Sequence, residues 1–262
     1  MTDTQSEAEQ PAGRRLGMLG KSAFVVLMLA LTALFVGLGT WQLQRLAEKE
    51  ALMAAVAERM DAAPVPLPPV AEWVGFDPEV YNYRPVTVTG RYVNNGTILV
   101  FTSLSEPRGR YSGAGYWVMT PLALNGGGTV FINRGFVPQQ MAPSYAEGGA
   151  GADEDVTLTG MARISEGVSA FTPVPDGEER IDYVRDVDRL AALSDPSLAP
   201  FAPVYIDLPA GPAGALPQGG ETTLSFPNNH LGYAITWFGF AIITPVMLVV
   251  WLVRQRRTMP AP

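Results

Sequence analysis

Two long uncharged segments decide the fold: residues 22–44 read SAFVVLMLALTALFVGLGTWQLQ, and residues 231–253 read LGYAITWFGFAIITPVMLVVWLV. As a helix each segment would be about 35 Å long, which exceeds the roughly 30 Å hydrocarbon core of a bilayer. We therefore predict two transmembrane helices. The alternatives are a buried core helix for either segment and a cleaved signal peptide for the first. Uncharged runs of this length are rare in soluble cores, and the QLQR at 42–45, which follows the apolar run of the first segment, is a poor cleavage site.

The composition of the 262-residue chain excludes most kinds of catalytic and metal site. The chain has no cysteine, which excludes disulfides, thiolate zinc sites, iron–sulfur clusters and cysteine nucleophiles. Its one histidine, His230, excludes any site within one chain that needs two imidazoles. The net charge of −7 is opposite to the clustered Lys and Arg of a nucleic-acid-binding surface, so we expect no nucleic-acid partner.

Basic residues flank both segments on the side of the chain termini, within the tails 1–21 and 254–262. Because positive residues remain on the cytoplasmic side, we predict a hairpin anchor with both tails in the cytoplasm. Residues 45–230, with 12 basic and 22 acidic residues, would then form a domain outside the cytoplasm. The acidic, non-amphipathic N-terminal tail is unlike a mitochondrial transit peptide, so we predict a bacterial plasma membrane as the host.

The domain between the segments is predicted to be rich in antiparallel strands. Residues 43–60 contain strong helix formers that extend the first segment, and the prolines of 61–70 end that helix. The β-branched and aromatic runs that follow predict six strands, at 83–93, 97–102, 116–124, 129–137, 156–163 and 204–208. Residues 93–96 and 125–128 resemble hairpin turns, and 186–194 predicts one helix capped by Asp186. Short strands with few helices indicate an antiparallel barrel or sandwich.

Two glycine-rich stretches of this domain predict loops, and the sequence contains none of the catalytic motifs considered. Residues 146–155 and 209–221 are rich in glycine, and the second also in proline, so we predict flexible surface loops there. The chain has no G-x-S-x-G nucleophile motif, and its glycine-rich stretches lack the Lys-Ser/Thr of a phosphate-binding loop. We therefore expect that the protein is not an enzyme.

The start of the second segment, PNNHLGYAITWFGFA at 227–241, carries the candidate site. Asn228 or Asn229 would cap the helix and place His230 in its first turn, at the membrane interface on the side away from the cytoplasm. Helical spacing puts four further residues on the face of His230, namely Tyr233, Ala234, Trp237 and Ala241. A flat apolar ligand fits such a stripe, with the alanines leaving room for a ring and the helix dipole favouring a neutral, metal-ligating imidazole. The alternative is an interfacial aromatic belt that ligates nothing.

A second stripe lies where the first segment ends. Trp41, Arg45 and Lys49 recur every four residues, which places one aromatic ring and two cations on one helical face. Arg45 would form a cation–π pair with Trp41, meet an acidic group of a bound molecule, or anchor the helix to lipid headgroups. For Arg134, in the NRGFVP stretch, the favoured interpretation is structural, namely bonds to loop carbonyls or to an acidic side chain.

These stretches also carry a family resemblance that covers residues 39–241. GTWQLQRLAEK, YRPVTVTGRY, GYWVMTPLAL, INRGFVP, PVYID and PNNHLGYAITWFGFA occur in this order. Together they resemble the Surfeit locus protein 1 family, the cytochrome c oxidase assembly factors. The resemblance implies a membrane-anchored factor for the biogenesis of haem–copper oxidase that assists the assembly of subunit I, with haem a synthase as a second candidate partner.

The resemblance also implies a cofactor. Bacterial members of the family are associated with binding haem a, and the histidine of the NNHL block, here His230, is the family's candidate axial ligand to the haem iron. Tyr233, Trp237 and Trp41 would then contact the macrocycle, and Arg45 would meet a propionate. The competing expectation is a membrane scaffold that binds no haem and stabilises an assembly intermediate of subunit I. The oligomeric state, the oxidase that is served and any role in copper delivery stay open.

Overall fold

A computed structural model describes residues 11–146, 154–221 and 228–257. The described residues cluster into two compact units, one of which contains 11–54 with 228–257, while the other contains 55–146 with 154–221. We call them the helical unit and the barrel unit. Residues 147–153 of the predicted loop 146–155 lie outside the described residues, as do parts of the two predicted tails.

The helices and strands of the described residues follow in chain order. The helices are α1 (Pro11–Met60), α2 (Pro78–Tyr81), α3 (Val187–Ala192) and α4 (His230–Arg257). The strands are β1 (Val65–Pro66), β2 (Pro85–Tyr92), β3 (Ile98–Leu104), β4 (Gly113–Leu124), β5 (Thr129–Pro138), β6 (Val156–Arg163), β7 (Ile181–Asp182) and β8 (Phe201–Asp207). All six predicted strands are present, and the predicted helix is α3, whose cap Asp186 accepts a hydrogen bond from the Arg189 amide at 3.0 Å.

The helical unit is an antiparallel pair made by α1 and α4. Phe24 of α1 contacts Trp251 near the end of α4, whereas Phe35 stacks on Trp237 near its beginning, with ring centroids 5.8 Å apart. Both helices are long and apolar enough to cross a membrane, over Leu19–Met60 and His230–Gln255. Only 6% and 17% of their most apolar windows are buried, unlike the core helix of a soluble protein. The pair therefore indicates membrane anchoring.

The barrel unit contains a closed five-stranded ring. Its strand order is β2-β6-β8-β5-β4, and pairing of β2 with β4 closes the ring. All ring pairs are antiparallel except β5–β8, which is parallel. The structure thus confirms two apolar helices that flank a mainly antiparallel, barrel-like domain.

The interior of the ring is filled by small and branched apolar side chains from all five strands, which are Val86, Val88, Leu122, Val130, Ile132, Ala162, Val204 and Ile206. Because successive strand residues point to opposite faces, Phe131 and Tyr205 face the other side of the sheet. There they pack in a second cluster with Val187 and Leu190 of α3. The single predicted helix of this domain therefore covers the outer face of the ring.

One predicted hairpin is confirmed and the other is wrong. Residues 125–128 connect the paired strands β4 and β5, with positive φ angles of 88° at Gly127 and 74° at Gly128. Residues 94–96 instead form a 3-10 turn between β2 and β3, which both pair with β4. The reason is the length of β4: its first part pairs with β3 and its last residues pair with β2.

The loop predicted to be flexible at 209–221 is held firmly at its end. Gln218 pairs with Phe136 through two backbone hydrogen bonds of 2.8 Å, and both Gln218 and Glu221 are buried. Glu221 accepts hydrogen bonds from the backbone amides of Arg108 and Gly109, at 2.8 and 2.6 Å. Glycine content predicted flexibility here, but side-chain bonds to distant loops override it.

Candidate functional site

His230 lies in the first turn of α4, as predicted from the capping residues. The helix begins at His230, and the backbone carbonyl of Asn229 accepts a hydrogen bond from the Tyr233 amide at 3.2 Å. Asn229 therefore occupies the N-cap position. Pro227, which the sequence predicts to fix the chain before the cap, lies outside the described residues.

His230 is held by a side chain of the other helix. Its Nδ1 atom lies 2.7 Å from Oε1 of Gln42 in α1. Gln42 is only 8% exposed, and His230 is half-buried. Since a carboxamide oxygen can only accept, Nδ1 is the donor of this contact. The contact orients the ring and leaves Nε2 as the nitrogen that can bind a metal.

The predicted stripe on α4 divides into a packed part and an exposed part. Trp237 stacks on Phe35, and Ala234 and Ala241 are buried on the face of α4 that packs against α1. The alanines therefore do not leave room for a ligand ring, because helix packing uses that space, and this part of the interpretation is wrong. Tyr233 is 56% exposed and stays available to a ligand.

Two of the three residues of the stripe on α1, Trp41 and Arg45, are exposed, and Lys49 is half-buried. Trp41 is 50% exposed, and Arg45 forms an ion pair with Glu48, with 2.6 Å between Nη1 and Oε2. Both side chains of this pair are more than half exposed, so the pair contributes about 0.2–1 kcal/mol at most. Arg45 is therefore able to exchange Glu48 for another anion at little cost.

Gln42 is the residue of this site that sequence reasoning missed. Its signal was present, because an uncharged polar side chain inside a predicted membrane span is a candidate for function or helix pairing. In residues 11–146, 154–221 and 228–257 no group of three or more His, Asp or Glu side chains is placed to hold a metal ion. A metal bound at His230 would therefore take one ligand from this imidazole, and its other ligands would come from the cofactor that carries it.

The barrel unit holds an ion cluster that sequence reasoning also missed, in which Asp207 is buried and Glu166 is 39% exposed. Arg185 binds Glu166 through Nη2 and through Nε at 3.0 Å, and its guanidinium lies 5.0 Å from the Trp117 ring centroid and 5.5 Å from that of Tyr205. Asp207 accepts a hydrogen bond from the side-chain Nδ2 of Asn133 at 2.8 Å, and its Oδ1 lies 3.8 Å from Nη1 of Arg185.

The charges of this cluster shape the pKa values within it. Burial alone would raise the pKa of Glu166, but the charge and hydrogen bonds of Arg185 more than offset it and hold that pKa below its usual range. Burial raises the pKa of the Tyr205 hydroxyl, which therefore stays protonated at physiological pH. Arg163 supplies a second guanidinium, 3.4 Å from Asp207. The two guanidinium groups and the two carboxylates of the cluster balance each other in charge. Such a balance is typical of a network that stabilises the fold.

Arg134 has an aromatic partner. Its guanidinium lies 5.1 Å from the Tyr92 ring centroid, and burial lowers its pKa while it remains a cation. It sits in a β-bulge with Gly135, whose φ of +127° would strain any side chain. A Cβ atom at position 135 would also lie 2.3 Å from the Gln218 carbonyl carbon. The NRG sequence is thus explained by local packing.

Comparison with known proteins identifies the family of this chain. A model described as the SURF1 family matches residues 29–242, which include the facing parts of α1 and α4 and the whole barrel unit. The chain belongs to the SURF1 family. The resemblance noted from the sequence motifs is therefore confirmed.

Individual relatives agree with this membership over most of their length. A SURF1-like protein of Monosiga brevicollis is 33% identical over 239 residues, which cover 88% of this chain and 87% of that protein. Surfeit locus protein 1 of Rattus norvegicus is 33% identical over 87% of this chain and 75% of its own length. The Homo sapiens protein of the same name is 32% identical over 84% of this chain and 74% of its own.

Proposed function

We propose that this chain is a membrane-anchored assembly factor for haem–copper cytochrome c oxidase, which holds haem a transiently through His230 and aids its insertion into subunit I. Membership in the SURF1 family and the two apolar helices support the assembly role. The observation that carries haem ligation is the 2.7 Å contact between His230 Nδ1 and Gln42 Oε1, because it leaves Nε2 as a nitrogen donor for iron.

In this proposal haem a is cargo that the protein binds and releases. His230 would donate to the iron, while Tyr233 and Trp41 offer exposed aromatic surface to the hydrophobic macrocycle. Arg45 offers a cation to a propionate once it exchanges its partner Glu48. One protein ligand on a half-buried side chain suits transfer better than a closed site with two ligands would.

The proposal assigns no catalytic step to the chain. It holds a cofactor that is poorly soluble in water and passes it to subunit I, with haem a synthase as the candidate donor of haem. We place the anchor in a bacterial plasma membrane, with both termini in the cytoplasm and the barrel unit on the opposite side. The basic residues at the ends of the two spans next to the chain termini support this orientation.

A second candidate function is that of a scaffold that binds an oxidase subunit and no haem. It is favoured by exposed apolar side chains between β6 and β7, where Phe171 is 94% exposed and Val174 is 85% exposed. Large apolar side chains at such exposure are typical of a surface that contacts a partner.

Haem content separates the two functions. The full chain is purified in detergent from bacterial membranes that make haem a, and its absorption spectrum is recorded for wild type, His230→Ala and the control Gln44→Ala, which changes an exposed side chain of α1. Haem ligation predicts a Soret band in wild type and the control, and its loss or strong shift in His230→Ala. A wild type without haem contradicts the cargo role and favours the scaffold. Haem with an unchanged spectrum in His230→Ala contradicts ligation by His230.

A further inference from the structure

Gln42 is a buried polar side chain near the end of the uncharged segment of α1. It is 8% exposed, and it lies within residues 22–44, the uncharged segment. A carboxamide in such surroundings is costly unless it is paired, so its contact with His230 stabilises both groups. The pairing joins α1 to the first residue of α4.

The chemistry of the Gln42 oxygen restricts what the imidazole can do. With Nδ1–H donated to Oε1, only one tautomer is held, and only Nε2 can bind a metal. Metal-ligating histidines commonly donate the N–H of their other ring nitrogen to a carboxylate, a carbonyl or water. An anionic acceptor makes the imidazole a stronger ligand to the metal. A neutral carboxamide orients the ring without adding negative charge to it.

We propose that Gln42 is the positioning residue of the haem site, and that its neutral carboxamide keeps the bond between His230 and iron weak enough for release. This inference rests on the proposed function. Gln42 does not touch the haem; it acts through His230, by selecting its tautomer and by limiting its donor strength. Removal of the carboxamide and its replacement by a carboxylate should therefore change haem binding in opposite directions.

The test compares two substitutions at position 42 with matched controls at Gln44, an exposed glutamine two residues further along the same helix. The full chain carrying Gln42→Leu, Gln42→Glu, Gln44→Leu or Gln44→Glu is purified in detergent and titrated with haem a. The measurements are the dissociation constant, the iron–histidine stretching frequency of the ferrous complex by resonance Raman spectroscopy, and the haem midpoint potential. Oxidase haem content in cells reports transfer.

Gln42→Leu should weaken haem a binding by about 10- to 100-fold and broaden or lower the iron–histidine frequency, because the ring is no longer oriented. Gln42→Glu should tighten binding, raise that frequency and lower the midpoint potential, while less haem reaches the oxidase. Both Gln44 variants should match wild type. Added imidazole should restore a ligated spectrum to His230→Ala but not the oriented geometry to Gln42→Leu.

The outcomes separate this inference from the function beneath it. If His230→Ala loses haem while both Gln42 variants keep the wild-type frequency, potential and affinity, the role of Gln42 is wrong and the haem site stands. If Gln42→Leu and Gln42→Glu weaken binding equally without a change in frequency, Gln42 only supports helix packing. If wild type binds no haem a, the proposed function and this inference both fall.

Discussion

Gly39 of α1 lies against the ring of Phe238 in α4, so closely that a Cβ atom at position 39 would come within 2.8 Å of Phe238 Cε1 and Cζ. The absence of a side chain at this position lets the two helices approach about one turn from Gln42 on α1 and about two turns from His230 on α4. Small residues at helix contacts are the usual basis of association within membranes, where no hydrophobic effect drives helices together.

Gly39→Leu should therefore force α1 and α4 apart and destabilise the helical unit by about 1–3 kcal/mol, the usual cost of overpacking. The matched control is Gly37→Leu, because a Cβ atom at position 37 has nothing within 4 Å. Thermal unfolding of the full chain in detergent, followed by helical circular dichroism, checks the difference. Equal transition temperatures for the two variants would show that the contact at Gly39 is unimportant.

The spacing of apolar residues could predict many of the helices and strands of this fold. It could not identify which element packs against each apolar helix face. The two spans and all six main strands followed from runs of uncharged or β-branched residues. Helical spacing correctly put Ala234 and Ala241 on one face with His230, yet the partner of that face is α1, which local spacing does not reveal. Gln42 and His230 are 188 residues apart, and such a pairing depends on how the helices pack.

The same limit applies to the barrel unit. The strand β2 could be read from PVTVTGRY, whereas its pairing with β4 and β6 depends on contacts across the ring. The ion cluster at Arg185 gives no local signal, because its partners Glu166 and Asp207 lie in separate segments and each resembles a surface charge in the sequence.

Arg185→Met should destabilise the barrel unit by about 3–5 kcal/mol, since it leaves the buried carboxylate of Asp207 with one fewer cation and frees Glu166. Arg91→Met is the matched control: Arg91 pairs with Asp155 at 3.2 Å, but both side chains are at least half exposed, so a loss of about 0–1 kcal/mol is expected. Unfolding followed by tryptophan fluorescence of the full chain in detergent measures both. A similar loss in the two variants would refute the importance of burial here.

The low pKa of Glu166 predicts a stability that depends on pH. Because the folded-state pKa lies below the unfolded value, the folded chain binds fewer protons, and Glu166 contributes its full stability above the unfolded pKa. That contribution is lost as the pH falls through the folded pKa. The transition temperature of wild type should therefore exceed that of Glu166→Gln at pH 7, and the difference should shrink below about pH 4. A difference that is constant between pH 3 and 7 would contradict the pairing with Arg185.

The proposed topology can be tested with single cysteines, because the chain has none of its own. Gly126→Cys places a thiol in the exposed turn between β4 and β5, and a cysteine added after Pro262 marks the C-terminus. In intact bacterial cells whose outer membrane is permeabilised, a membrane-impermeant maleimide should label position 126 only. The C-terminal cysteine should react after the inner membrane is opened. Labelling of both positions before that step would contradict a hairpin with cytoplasmic termini.

Arg45 tests whether a cation at the end of the first span serves the cargo or only the lipid. Its ion pair with Glu48 lies on the surface of α1, and both side chains are more than half exposed. Arg45→Gln should lower the amount of assembled oxidase and its haem a content, while the level of this protein in the membrane stays the same. Glu48→Gln removes the competing carboxylate, so assembly should be unchanged or increased.

Arg45→Gln separates the two hypotheses for Arg45, and a rise in Glu48→Gln would further support binding of an anion. If Arg45 meets a propionate or an acidic group of a partner, the loss of Glu48 leaves its guanidinium more available to that anion. If Arg45 only anchors the helix to lipid headgroups, neither substitution should change oxidase assembly, because neighbouring Lys49 supplies a similar charge one turn along the helix. Full oxidase activity and unchanged haem a content in Arg45→Gln would therefore establish the anchoring role. Reduced activity in Arg45→Gln, together with normal or raised activity in Glu48→Gln, would establish a role in binding an anion.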